Sequence, residues 1–270
     1  MIHETAIIEK GAQIGKNVTI EPYAVVKENV TLKDGVTIKS HAYIDGYTTI
    51  GENTTIYPFA SIGTKTQDLK FRGEKTYVKI GRDCEIREYV SINSSCGDES
   101  EVLVGDNCLL MGYCHVAHHC QIGNNVIMAN ASMLAGHVTI EDHANVGGMT
   151  AVHQFCRIGA HAMIGGQSGI VRDVPPYTIG FGSRAYRIGG LNLVGLKRSK
   201  FPRKDIQALM QAYKLTYRSN LPISEALDQI EKELEPSPAI THWLQFARTS
   251  KRGLSGLGLD EKSPEEALSK

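Results

Sequence analysis

The sequence predicts a mainly β fold, a parallel β-helix built from hexapeptide repeats, followed by a small α-helical domain. Three observations carry this. An aliphatic side chain recurs at every sixth residue, from Ile2 through Ile62, then Ile80 to Ile92, then Val104 to Ile170. A second column, four residues after each of these, holds only Ala, Val, Thr, Ser or Cys, except at Arg72. Beyond Val174 the rhythm stops and apolar residues recur at helical spacing instead. The double column matches neither the 3.6 period of a helix nor the alternation of a lone strand. It is a hexapeptide repeat, each unit a short strand plus a corner. Three units make one triangular turn, so residues 18 apart stack at about 4.8 Å, the spacing of neighbouring strands. The β-helix is placed at 1–180 and the helical domain at 190–270.

The totals exclude several function classes. The 270 residues carry no net charge, which argues against wholesale nucleic-acid binding. The chain enters the repeat at Ile2 without a basic and apolar leader, so no signal peptide is expected. No run of 18 apolar residues occurs, so no membrane span is expected, and a cytoplasmic protein is the simplest reading. By phase all six cysteines, Cys84, Cys96, Cys108, Cys114, Cys120 and Cys156, fall on the small column. They read as buried structural thiols, reduced in the cytosol. Cys108, Cys114 and Cys120 are six apart and fall on three faces of one turn, where they share no ligand pocket.

Along the chain, the first ten hexapeptides carry turn residues at their corners and little chemistry, and His3 and His41 read as solvated. Two excursions interrupt the prism, near 63–79 and 93–103. In the first, both inward positions become acidic, Asp68 and Glu74. Burying two unpaired carboxylates costs too much, so this segment must leave the prism as a loop. A loop on a rigid scaffold is a common home for binding residues. After the repeat, Pro175 and Pro176 break the ladder, and a Gly-rich connection runs through Gly180, Gly182, Gly189 and Gly190. Helices are expected over Lys204–Arg218, over Ser224–Leu234 with an N-cap, and over Ala239–Thr249 around Trp243. The tail from Gly253 is expected to fray. The basic run from Lys197 to Lys204 fits either a solvated helix face or a contact to phosphate or an acidic protein.

Seven of the ten histidines lie between 104 and 170. His118, Gly136 and Gln154 share one stacking column, and His119 and His137 share the next, with Phe155 beyond. With His153 they converge on one edge of the prism. His143 and His161 stack on another edge and read as ordinary polar corners. Three imidazoles can bind zinc, and one can equally act as a general base beside a backbone N–H that holds an oxyanion. Gly136 would let a ligand carbonyl approach the main chain. Residue types alone leave both chemistries open.

Several longer stretches narrow the choice. They are Cys114-His115-Val116-Ala117-His118-His119-Cys120, Leu134-Ala135-Gly136-His137-Val138 and the run from Gly147 to Cys156. With Gln67-Asp68-Leu69-Lys70, Asp173-Val174-Pro175-Pro176-Tyr177 and Gly195-Leu196-Lys197-Arg198, they resemble one family over nearly the whole chain. That family is the acyl-carrier-protein-dependent UDP-N-acetylglucosamine O-acyltransferases, which begin lipid A synthesis. The resemblance implies a left-handed β-helix, a homotrimer, and active sites between neighbouring prisms. It implies transfer of a 3-hydroxyacyl chain from the carrier-protein thioester to the sugar 3-hydroxyl, with no cofactor and no metal. His118 would be the general base, and Gly136 would supply the oxyanion N–H. Asp68 and Lys70 would contact the sugar nucleotide or acyl donor. His115, His137, His153 and Gln154 would line the sugar and phosphate pocket, and Asn192 and Arg198 would bind the nucleotide. Gly166 matches the chain-length position and, lacking a side chain, would leave room for acyl chains of roughly fourteen carbons.

The sequence also departs from the family pattern. His119 stands where an aspartate usually orients the base, Asn93 where a histidine is common, Val194 for an acidic residue and Ser199 for an arginine. These changes keep acylation of a 3-amino sugar analogue as an alternative. A zinc hydratase resembling γ-class carbonic anhydrase lacks its usual histidine spacing here. A non-catalytic scaffold leaves the histidine cluster unexplained.

Overall fold

Three parallel sheets form the walls of a triangular prism, a left-handed parallel β-helix. The computed structural model describes residues 1–183 and 185–257. The first wall stacks nine strands from Ile7–Ile8 to Gly169–Ile170 and includes Ser61–Thr64, Ser91–Asn93, His115–Val116, Met133–Leu134 and Ala151–Val152. The second stacks eight, among them Tyr77–Ile80, Glu101–Val104, Gln121–Ile122, Thr139–Ile140 and Arg157–Ile158. The third runs from Thr19–Ile20 up to Arg187–Leu191. Most strands are two residues long, the first facing out and the second in. The inward aliphatics from Ile20 to Ile170 form one continuous buried core, with the small column packed beside them.

Most corners turn through a residue in the left-handed backbone region, such as Asn53, His119, His137 or His161. Asn and His tolerate this region better than branched residues do. Because coils repeat at the strand spacing, flat side chains at successive corners stack. Tyr23, His41, Phe59, Tyr89 and Tyr113 form one such ladder, with ring centroids 4.9–5.2 Å apart. His41 is therefore exposed yet stacked between two rings. On another edge His143 stacks on His161 at 4.6 Å, with Tyr177 5.9 Å beyond. Burial beneath the helical domain, and then His143, push the His161 imidazole down to about 4. His161 is thus a packed residue rather than the ordinary polar corner its position suggests.

Both excursions leave from the corner between the first and second walls. Ser61 pairs with Ser91, 30 residues on, and Ser91 with His115, 24 residues on, where 18 is the rule elsewhere. The extra lengths are whole hexapeptides, which is why the rhythm resumes in phase. Ladder pairing persists through Thr64 and from Tyr77, and through Asn93 and from Glu101, so the loops are narrower than the sequence suggests. Cys96 falls in the second loop and is only half-buried, whereas the other five thiols are buried in the prism. Phase alone misplaced it, because the loop keeps the count without keeping the fold. Burial lifts the Cys120 thiol to about 12, consistent with an inert packing role.

The Gly-rich connection is a structured antiparallel hairpin, Thr178–Phe181 with Arg187–Leu191, that extends the third wall. Four helices follow among the described residues: α1 (Leu193–Arg198), α2 (Arg203–Arg218), α3 (Ile223–Glu233) and α4 (Pro238–Arg248). The sequence reading missed α1. The expected N-cap of α3 is absent, because Pro222 precedes the helix without a side-chain cap and Ser224 lies inside it. In α4, Ser237 does cap the helix, its Oγ accepting from Ile240 N–H at 3.3 Å. Trp243 is buried among the helices and donates to Thr216 Oγ1 at 3.3 Å. Arg157 ties α4 to the prism, its guanidinium 4.0 Å above the Phe246 ring and donating to Phe246 O at 2.7 Å. The start of the expected frayed tail is pinned: Leu254 bridges to Asp173, and Ser255 N–H donates to Asp173 O at 2.8 Å. Residues 258–270 of that tail lie outside the described residues.

Two predictions follow from this packing. Leu110 is fully buried in the prism core, and Leu110→Ala should destabilise the fold by about 2–5 kcal/mol, read as a lower denaturant midpoint. The fold favours neutral His161, so the unfolded chain takes up the proton first. This contribution is intact above about pH 6.5 and is lost as pH falls towards 4. His161→Phe keeps a stacking ring without a titrating group, and should flatten the fall of stability over that window.

Candidate active site

The chain turns the corner between the first and second walls at 117–120, then at 135–138, then at 153–156. Each pass stacks on the one before: His137 N–H donates to His118 O at 2.9 Å, and Phe155 N–H to Gly136 O at 3.2 Å. The rings of His119, His137 and Phe155 therefore form a ladder, with centroids 4.1 and 4.6 Å apart. His118 lies edge-on to it, 5.3 Å from His119 and 5.2 Å from His137. His118 Nδ1 is 3.0 Å from His119 Nδ1, a hydrogen bond in which one ring donates and the other accepts. Its far nitrogen, Nε2, is 3.5 Å from Asp68 Oδ2.

Gly136 is fixed by the His118 ring. A Cβ at Gly136 would collide with that imidazole, so any larger residue would displace it. The Gly136 N–H has no acceptor among the described residues, while its carbonyl is engaged. A backbone donor is thus left free beside the imidazole.

Asp68 arrives from the first excursion. Its Oδ1 accepts from Lys70 N–H at 2.8 Å, which holds the loop in a tight turn. That bond, with His118 and the Lys70 charge nearby, lowers the Asp68 carboxyl below its usual range and keeps it ionised. Together with Thr66, Asn93, His115, His118 and Met133, Asp68 lines a cleft of about 370 Å³. His115 sits on the first wall, its Nδ1 2.7 Å from Ser91 Oγ. Asn93 is the residue the sequence reading undervalued. It is 5% exposed, its Nδ2 donates to Thr64 Oγ1 at 3.3 Å, and its Oδ1 has no partner. An orphaned acceptor lining a cleft suits a donor supplied by a ligand.

Burial lowers the affinity of His118, His119 and His137 for protons, most strongly through desolvation. In His118 the Asp68 carboxylate opposes this, while His137 adds to it. Near neutral pH the three rings are uncharged, each with one unprotonated nitrogen. Such a set could take a proton or hold a metal ion: one ligand nitrogen from each ring lies within 4.8 Å of the others.

The remaining candidates are scattered. Lys70 is exposed at the loop tip. His153 and Gln154 are exposed on the same corner one coil further on, with the His153 ring turned back towards Gln154 O at 3.1 Å. Gly166 lies across the first wall, on the neighbouring corner, where a Cβ would sit 3.2 Å from Gly148 O. Asn192 and Arg198 belong to the third edge. Asn192 caps α1, Oδ1 accepting from Gly195 N–H at 3.0 Å, and Nδ2 donates to His161 O at 2.9 Å. Arg198 is exposed on the last turn of α1. Within one chain these two do not meet the histidine cluster.

The family described as UDP N-acetylglucosamine O-acyltransferase, domain 2, matches residues 173–255, and bacterial transferase hexapeptide repeats match residues 2–46 and 101–136. The acyl-[acyl-carrier-protein]–UDP-N-acetylglucosamine O-acyltransferase of Chlamydia abortus is 53% identical over all of this chain and 96% of its own length. The enzyme of that name from Anaeromyxobacter dehalogenans is 40% identical over 94% of the chain and 99% of its own. Among solved structures, UDP-N-acetylglucosamine acyltransferase from Bacteroides fragilis superposes with a TM-score of 0.91, at 40% identity, covering 94% of this chain and 99% of that one.

Proposed function

The chain belongs to the acyl-[acyl-carrier-protein]–UDP-N-acetylglucosamine O-acyltransferase family, and from that premise we propose how its residues carry the transfer. The enzyme moves an acyl chain from acyl-carrier protein to UDP-N-acetylglucosamine, in lipid A biosynthesis. In our reading the acyl chain is 3-hydroxylated and the acceptor is the sugar 3-hydroxyl. The single observation that carries the mechanism is the His118 ring, held between His119 and Asp68 beside the free Gly136 N–H.

The productive tautomer has His118 Nδ1–H donating to His119 Nδ1, which leaves the Nε2 lone pair facing the cleft. The sugar hydroxyl gives its proton to Nε2 as its oxygen attacks the thioester carbonyl. The Asp68 carboxylate, 3.5 Å away, stabilises the imidazolium that forms. The carbonyl oxygen becomes an oxyanion held by Gly136 N–H. Collapse breaks the carbon–sulfur bond, and the departing thiolate takes the proton back from His118. The thioester supplies the activation, so this sequence of steps needs no cofactor.

Asp68 and Lys70 on the loop, with His115, His137, His153 and Gln154 on the walls and corner, serve the sugar and its phosphates. Asn192 and Arg198, on a separate edge, would reach the nucleotide from a neighbouring protomer. A homotrimer with sites between prisms brings the two edges together. A donor carried on acyl-carrier protein supports a cytoplasmic location. No helix of the described residues is long and apolar enough to cross a membrane. The relatives are named O-acyltransferases, which favours the hydroxyl over a 3-amino acceptor. The hydratase and scaffold readings gain no support from them.

The acyl chain would run from His118 across the first wall towards Gly166. The outward residues on that wall shrink along the way, from His115 and Met133 to Ala151 and Gly169. The expected outcomes are direct. His118→Ala should lower kcat about 10²–10⁴-fold with the fold intact, measured by mass-spectrometric transfer assay and circular dichroism; unimpaired turnover would remove His118 from the chemistry. Gly166→Met should shift preference to shorter acyl chains in competition between thioesters, and an unchanged profile would sink the ruler assignment.

A further inference from the structure

The histidine corner offers a second chemistry that acyl transfer does not require. We propose that His118, His119 and His137 form a binding site for a Zn²⁺-like divalent transition ion, and that filling it switches the enzyme off by capturing the base. The inhibitory half of this proposal rests on the reading of His118 as general base. The metal half rests on geometry alone.

Four observations point to the site. One nitrogen from each of the three rings lies within 4.8 Å of the others, close enough for a small side-chain movement to bring all three onto one ion. The His118 and His119 Nδ1 atoms, 3.0 Å apart, already converge. The coil fixes the backbone that carries the rings: His119 N–H donates to Ser95 Oγ at 3.2 Å, and His137 N–H to His118 O at 2.9 Å. Asp68 stands 3.5 Å from the opposite nitrogen of His118, the place of the carboxylate that commonly backs a metal-bound imidazole. All-nitrogen ligands select zinc, copper or nickel over magnesium or calcium. The three rings leave a fourth position open to water.

The switch is a matter of lone pairs. With an ion on Nδ1, the remaining ring proton of His118 must sit on Nε2, directed at Asp68. No lone pair is then left to accept the sugar proton. The same three rings therefore cannot hold an ion and catalyse at once.

The test uses the full-length protein stripped with chelator, then titrated with Co²⁺ as a spectroscopic stand-in for zinc. The expected result is visible ligand-field bands saturating at one ion per chain, displaced by Zn²⁺ and unaffected by Mg²⁺. His119→Asn and His137→Asn, chosen because asparagine tolerates the left-handed backbone at both corners, should each weaken binding by at least about tenfold; Asp68→Asn should weaken it about 10–100-fold. Transfer activity of the unaltered enzyme should fall as the site fills and return with chelator. Absent bands, or equal affinity in the asparagine variants, would mean adventitious binding and overturn the site. Bands that vanish in the variants, with full activity in the loaded enzyme, would overturn the inhibitory half and count against His118 as base. A His118→Ala enzyme that stays active would count against that base assignment by itself, leaving the spectrum to judge the metal site.

Discussion

The structure depends on one repeated contact, the inward aliphatic side chain of each hexapeptide resting on its counterpart one coil away. From Ile20 to Ile170 these side chains form an unbroken buried column on each wall. Because every strand is so short, local propensity cannot hold it, and the coil exists only because its neighbours bury it. The same stacking fixes the spacing of everything outside. A corner residue meets its equivalent in the next coil at strand spacing, whatever its chemistry. The aromatic ladder from Tyr23 to Tyr113 and the imidazole ladder of His119 and His137 are one geometric effect with different side chains. Rigid placement of reacting groups thus comes from the core rather than from the site itself.

This explains which parts of the fold were legible in the sequence. A core that repeats by contact must repeat in sequence, so the walls could be counted directly. The loops also announced themselves, since Asp68 and Glu74 could not enter the prism. Phase was misleading where a loop preserved it. Cys96 keeps the count of six but lies outside the prism. The Thr178–Phe181 and Arg187–Leu191 hairpin was hidden for the opposite reason: its order comes from pairing across a Gly-rich stretch with no period to read. Ser224 looked like a cap because serine favours that place, but Pro222 fixes the start of α3 earlier. The pinning of Leu254 and Ser255 by Asp173 spans some eighty positions, and no local pattern reports it.

The candidate site divides in the same way. His118, Gly136 and His137 could be brought together from the sequence because coil arithmetic is enough. Asp68 could not be aimed by arithmetic, since a loop delivers it, and the hydrogen bond from Lys70 N–H that shapes the turn is visible only in three dimensions. Asn93 looked like a lost histidine, and only its burial and empty acceptor give it a place in the cleft. Asn192 and Arg198 sit on an edge that one prism cannot fold onto the histidine corner. Only the proposed assembly of several copies would bring them to it.

The position of His119 has a consequence for how the base is poised. An aspartate there, as in the family pattern, would accept from the imidazole and raise its affinity for the proton. A neutral imidazole accepts the same hydrogen bond but adds no charge, and burial already works against protonation of His118. The favourable field must then come from elsewhere, and the only carboxylate facing His118 among the described residues is Asp68. Orientation and electrostatics, joined in a single carboxylate in the family pattern, are here divided between a rigid corner and a loop. In the proposed mechanism His118 therefore depends on the turn that carries Asp68.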